Sequence, residues 1–170
     1  TAELLNYLVL CPREHRGGIC TRILRVVDRF SPEDRWRVDT LITMLTIAGR
    51  ETSREVQSAT IVYISRSSED LQAYATHKLL KAIRDDDGTQ RGLLTVGVWC
   101  IGEYGDLLLN SYTYTATTRA TAEAANVAVP ISFMALDPAT IVATVEEVTM
   151  KHSCPPEVKE RALTCYAKLS

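Results

Sequence analysis

Ser31-Pro32-Glu33-Asp34 and Ser67-Ser68-Glu69-Asp70 are two helix-start signals of one design, with Ser31 and Ser68 standing 37 residues apart. In each, a serine oxygen can accept from the orphan backbone donors of a first helical turn, and acids follow where the positive end of the helix dipole favours them. Pro32 has no donor to lose at such a position. A recurrence near this length is close to the period of two-helix repeats, so it directs the chain toward an array of stacked helix pairs. The scarcity of turn formers agrees: 8 Gly and 6 Pro among 170 residues favour long helices with short connections.

The first helix runs from the Ser31 signal to Gly49. Val38, Leu41, Ile42, Leu45 and Ala48 share one face at the i, i+3, i+4, i+7 spacing, while Trp36, Met44 and Ile47 fall on the other side. A helix apolar on two sides belongs between layers. The second carries Leu71, Ala75, Leu79, Ala82 and Ile83 and ends in Asp85-Asp86-Asp87-Gly88. Residues 52–66 and 90–104 contain Ile61-Val62-Tyr63-Ile64 and Leu93-Leu94-Thr95-Val96-Gly97-Val98-Trp99, runs that would pass locally for buried strands. Each segment has the length of a helix, and Val56, Ala59 and Tyr63 keep one face, so both are read as helices.

Residues 111–129 are rich in Thr and Ala without apolar periodicity and read as a loop or linker closed by Pro130. Asp137 followed by Pro138 starts a helix to about His152, and Pro155-Pro156 opens a last one through Lys168. The expected fold class is all-α, a solenoid of about eight helices in which each pair needs its neighbour to cover its apolar side.

A formal charge of −2 and a pI of about 5.9 leave no overall electrostatic footprint for nucleic acid. No run of about 18 consecutive apolar residues suggests a membrane span. Cys11, Cys20, Cys100, Cys154 and Cys165 are odd in number and irregular in spacing, which argues against a disulfide framework and for a reduced, cytoplasmic setting. The sequence opens at Thr1, without a start Met and inside an apparent helix, which predicts a piece of a longer polypeptide.

Several residue groups invite a chemical reading. Tyr74-x-x-x-Lys78 has the spacing of a dehydrogenase dyad, but no glycine-rich phosphate turn precedes it. With Gly88 set on the invariant glycine of a calcium loop, Ile83 and Leu94 occupy the first and last ligand positions, so that match fails. Cys11, His15 and Cys20, or His152 and Cys154, lack the paired spacing of zinc ligands. Arg13-Glu14-His15-Arg16-Gly17-Gly18 reads as a solvated connection. No catalytic, cofactor-binding or metal residue is assigned. Trp36 and Trp99 are expected in the inter-helix core. Asp39, Glu103 and Asp106 are acids within apolar helices that must find donors, with Arg or orphan amides expected, which makes them candidates for setting the register between repeats.

Glu3-Leu4-Leu5-Asn6-Tyr7-Leu8, Arg29-Phe30-Ser31-Pro32-Glu33-Asp34-Arg35-Trp36, Val38-Asp39-Thr40, Ile47-Ala48-Gly49 and Trp99 through Leu108 together resemble the gamma-adaptins. These are large chains of the clathrin adaptor complex of the trans-Golgi network and endosomes. The Arg-Phe-Ser-Pro and Arg-Trp pieces favour gamma over the plasma-membrane alpha chain. The likeness is continuous over 1–110, departs over 111–136, and over 137–170 is one of helical pattern with a terminal Ala-Lys-Leu-Ser. It implies adaptin-trunk repeats of HEAT/armadillo-like helix pairs over 1–110, a variable loop over 111–136 and a further pair of the same solenoid over 137–170.

It further implies a non-catalytic scaffold that pairs with beta, medium and small adaptor chains. Clathrin and an Arf-family small GTPase are met through the full complex, which associates peripherally with trans-Golgi and endosomal membranes and coated vesicles to sort membrane cargo. Two other readings stand beside this one. They are another solenoid, coatomer-like or karyopherin-like, and a small oxidoreductase built round Tyr74 and Lys78, which would require strands at 61–64 and 93–99.

Overall fold

The computed structural model describes residues 2–114 and 130–169. Eight α-helices account for most of them: α1 Ala2–Leu10, α2 Arg13–Phe30, α3 Asp34–Ala48, α4 Arg54–Ser65, α5 Glu69–Asp85, α6 Arg91–Tyr104, α7 Pro138–Met150 and α8 Pro156–Leu169. Odd-numbered helices pack on one another in sequence order, α1 on α3, α3 on α5 and α5 on α7. The even-numbered ones do the same, α2 on α4, α4 on α6 and α6 on α8, and neighbouring pairs hold the two layers together. This is an α-solenoid, because each layer covers the apolar side of the other and the stack grows by adding pairs.

The core runs between the layers. Leu8, Ile23, Leu41, Met44, Leu45, Ile64, Tyr74, Leu79, Ile83, Leu93, Leu94 and Ile101 are its largest fully buried side chains. In α3 both faces are used: Val38, Leu41 and Leu45 are buried, and so is Met44 on the opposite side. In α6 every residue from Gly92 to Val98 is buried, as are Cys100 and Ile101. Contacts with α3, α4, α5 and α8 surround it. With the short 3-10 turn Gly105–Leu109 that follows, the stretch Arg91–Leu109 is long and apolar enough to cross a membrane by length and composition. Its burial makes it the central rod of the core. The runs 61–64 and 93–99 lie inside α4 and α6.

Of two serine caps, the one at Ser68 follows its sequence signal and the one at Ser53 was not signalled in the sequence. Ser68 is the N-cap of α5 and its hydroxyl accepts from the Leu71 N–H at 3.4 Å. Ser53 does the same for Val56 at 3.3 Å in α4. Ser31 behaves differently. Its N–H donates to the Val27 carbonyl at 3.1 Å and closes α2, while α3 begins at Asp34. The segment Arg13–Gly18, expected as a connection, is the first part of α2. Gly17 is needed there because a Cβ would stand 3.0 Å from the Glu51 carbonyl of the turn after α3.

Another expectation fails between 111 and 133. Tyr112–Tyr114 (β1) and Ile131–Phe133 (β2) form an antiparallel two-stranded sheet, pairing Tyr112 with Phe133, Thr113 with Ser132 and Tyr114 with Ile131. Most of the expected loop, residues 115–129, lies outside the described residues. Three-residue strands are too short to show a period.

All five cysteines are free and buried. Burial pushes the Cys20 and Cys165 thiols up to about 11, and only the thiolate attacks disulfide reagents. The folded protein at mildly alkaline pH is therefore expected to react slowly with an aromatic disulfide reagent and to release the full five equivalents only on unfolding. A fast native burst would contradict this packing.

Candidate functional site

The polar residues that converge most closely do so on the outer side of the odd-numbered layer, where α3 and α5 run side by side. Asp39, midway along α3, accepts from the Tyr74 hydroxyl on α5 with both carboxylate oxygens, at 2.7 and 2.9 Å. The Lys78 ammonium, one turn further along α5, lies 3.3 Å from the same carboxylate, and Arg35 approaches it at 3.8 Å from one turn earlier in α3. Spacing of four along each helix brings these groups to one side. The donors that meet Asp39 are thus a phenol and a lysine of the neighbouring helix, with an arginine of its own.

Burial is the main cause that pushes the Tyr74 phenol well above its ordinary range, with the Asp39 hydrogen bond adding to it. A dehydrogenase tyrosine needs a shift in the opposite direction. Lys78 serves Asp39, and its nitrogen stays 5.8 Å from the Tyr74 ring centroid. The spacing that suggested catalysis builds a structural cluster.

The β1–β2 hairpin closes over this cluster. Tyr114 lies on the Tyr74 ring with centroids 4.8 Å apart, and Phe133 meets Tyr74 edge-on at 5.8 Å. Phe133 also stacks flat on His77, 4.6 Å away at an interplanar angle of 11°. His77 is only 6% exposed and its Nε2 has no hydrogen-bond partner. Desolvation lowers its pKa from the usual 6.5. Once unfolded, the ring titrates near pH 6.5, so below that value the unfolded chain binds more protons and stability falls; the penalty levels off below the folded pKa. The wild type is expected to lose more melting temperature than His77→Phe between about pH 7.5 and about pH 5.5. Equal losses would remove His77 from the account.

Beyond Lys78 the α3–α5 face opens into a groove of about 730 Å³. Its floor is Ile42, Ile47 and Ala82, and it ends at Asp85, Asp86, Asp87 and Gln90. The carboxylates of Asp86 and Asp87 do not simply end α5. Asp86 accepts from the N–H groups of Gly88 and Gln90 at 2.7 and 3.4 Å, and Asp87 from that of Thr89 at 3.0 Å. They therefore serve the amides leading into α6, which offsets their poor fit with the α5 dipole. Burial raises the Asp86 pKa, whereas the Thr89 hydroxyl lowers that of Asp87. Gly88, at φ +90°, makes the turn.

The other sequence candidates lie elsewhere. Glu103 on α6 pairs with Lys168 on α8, next to Gly102, where a Cβ would come 3.1 Å from the Cys165 backbone. Asp106 is exposed and, among the described residues, makes no ion pair. Trp36 and Trp99 are half-buried and pack against the core, Trp99 with its edge on Tyr104 at 5.9 Å. Cys11 and Cys20 are core residues, while His15 is exposed beside Glu14. Among the described residues no group of three His, Cys, Asp or Glu is placed to hold a metal. The His77–Phe133 stack escaped sequence reasoning, since nothing local links a histidine to a phenylalanine 56 positions later.

Two layers of helices joined in chain order, with their polar clusters on the outside, define the α-solenoid class. A family profile described as the adaptin N-terminal region matches residues 1–170, and the chain belongs to that family. It is similar to gamma-type large chains: 33% identical over 168 residues to AP-1 complex subunit gamma-like 2 of Homo sapiens, covering 99% of this chain and 19% of that one. Identity to AP-1 complex subunit gamma of Dictyostelium discoideum is 40% over 107 residues, 63% of this chain and 12% of that one. AP-1 complex subunit gamma-1 of Arabidopsis thaliana is 32% identical over 170 residues, 100% of this chain and 18% of that one. The chain spans about a fifth of the length of such relatives, as the 19% coverage states.

Proposed function

We propose that the chain is a segment of the trunk of a gamma-type clathrin adaptor large subunit, working as a non-catalytic scaffold in vesicle-mediated transport. The observation that carries this reading is the match of the adaptin N-terminal region along all 170 residues, on a chain whose two helix layers stack into a rod. A rod of this kind acts by presenting extended surfaces, with no bond made or broken. In this reading residues 1–110 and 137–170 belong to one helical array, and 111–136 is a variable loop between its two parts.

The full protein would hold beta, medium and small adaptor chains in a cytoplasmic complex. That complex would meet clathrin and an Arf-family small GTPase and sit peripherally on trans-Golgi and endosomal membranes. Asp39 and Glu103 have the role of register setters, because each ties its helix to the next odd- or even-numbered helix through a lysine. Trp36 and Trp99 support the same seams by packing.

The test is affinity purification of the tagged full-length protein from its own cells. Stoichiometric recovery of beta, medium and small adaptor chains is expected. Recovery of coatomer subunits or of nuclear transport cargo in their place would overturn the reading.

A further inference from the structure

We infer that the outer side of α2 is a docking site for an acidic segment of a partner protein, held by Arg22, Arg25 and Arg29. The three stand at i, i+3 and i+7, so they form one stripe about 10.5 Å long. All are exposed. Ile19, Cys20, Ile23, Leu24 and Val27 bury the other side of the helix. At about 100° per residue, Arg25 and Arg29 point within about 30° of directly away from that buried side.

These charges have no partner within the chain. Among the described residues none of the three arginines makes an ion pair, and Arg29 meets only the Phe30 ring, 5.5 Å from its centroid. Asp28, the nearest acid in sequence, is held by Arg37 of α3, and Glu14 lies about two turns back beside His15. A guanidinium fork matches a carboxylate with two parallel hydrogen bonds, so carboxylates are what this stripe complements. With the whole chain at −2, attraction of an acidic partner needs such a local cause.

A segment of chain fits the stripe better than a plane of lipid. Along the rest of the even-numbered layer cations alternate with acids: Arg54 with Glu55 in α4, Arg91 with Glu103 in α6, and Lys159 and Arg161 with Glu157 and Glu160 in α8. A flat anionic surface laid on that layer would meet those acids, whereas a peptide lying along α2 would not. A permanent subunit fits poorly too. Obligate interfaces are the more hydrophobic ones, and among the described residues the large apolar side chain that α2 exposes is Phe30 alone.

A random displayed library of peptides about 12 residues long, enough to span the stripe as helix or as strand, is selected against the full protein. Sequences carrying three or more Asp or Glu are expected to be enriched. Arg22→Glu combined with Arg25→Glu should weaken the selected peptides about tenfold or more at low salt. Arg22→Gln with Arg25→Gln takes its place if circular dichroism shows that variant misfolded. Lys159→Glu with Arg161→Glu on α8 changes the net charge equally and should leave binding as it was.

Failure to enrich acidic sequences, binding unchanged in the α2 variants, or an equal loss in the α8 variant would overturn the proposal. So would binding to vesicles of phosphatidylcholine and phosphatidylserine that the α2 variant abolishes, since a membrane would then be the occupant. The inference rests on the scaffold reading only in that it assumes recognition by surface. Affinity purification of the α2 variant is expected to recover beta, medium and small adaptor chains as the wild type does; their loss would make the occupant a core subunit and overturn the proposal. Absence of acidic peptide binding with those chains recovered would remove the stripe alone, and peptide binding without those chains in the wild type would remove the adaptor assignment alone.

Discussion

Leu45→Ala is expected to lower the free energy of unfolding by roughly 2–5 kcal/mol, the range for truncating a fully buried leucine. Leu45 is 0% exposed in the last turn of α3, between Leu41 and Ala48 on the same face, and Met44 closes the opposite side. A helix packed on both sides cannot move toward the void from one layer without opening a gap at the other, so relaxation recovers little of the loss. Chemical denaturation followed by far-ultraviolet circular dichroism measures it. A change below about 1 kcal/mol would mean that α3 is not sandwiched, since exposed sites typically shift stability by only about 0.5 kcal/mol.

The second large effect belongs to Gly88→Val. Gly88 is buried at φ +90°, a region costly for any residue with a Cβ and most so for a β-branched one. The backbone strain alone is worth roughly 1–3 kcal/mol. A Cβ would also stand 2.5 Å from the Ser153 Oγ and 3.2 Å from the Lys151 Cβ. Those two residues stitch the α7–α8 corner to the α5–α6 turn, Lys151 through its ammonium to the Asp86 carbonyl and Ser153 through its hydroxyl to the Asp87 carbonyl at 2.8 Å. Strain and loss of this stitch should lower the melting temperature together. Faster hydrogen exchange at 151–154 than in the wild type would locate the damage, and an unchanged rate there would contradict it.

The fold was largely legible because its punctuation is local. Ser68 and Pro138 mark helix starts through chemistry that needs no tertiary partner, and α5 carries its apolar face in one stripe. α6 was harder, since a rod buried on every side has no polar face to set a period; its glycines and valines then imitate a strand. The Arg13–Gly18 misreading has a similar origin. Gly17 answers a contact with Glu51, 34 positions away, and taken alone suggests a turn. The hairpin could not be read at all, because its register joins residues about 20 apart across short strands whose stability comes from rings on α5.

The cluster at Asp39 was half legible. That an acid in an apolar helix must find donors follows from the cost of burying charge. Which donors it finds depends on the rotation of α5 against α3, a tertiary quantity. The Tyr74 and Lys78 spacing was visible from the start, but its meaning changed once Asp39 stood between the two groups.

Amide hydrogen exchange resolved by segment tests the two-layer solenoid most directly, because protection follows how many neighbours hold each helix. The account predicts that α6, surrounded by α3, α4, α5 and α8, exchanges last, and that α1, with Tyr7, Val9 and Leu10 exposed, exchanges among the first. Exchange of 93–101 as fast as that of α1 would contradict it.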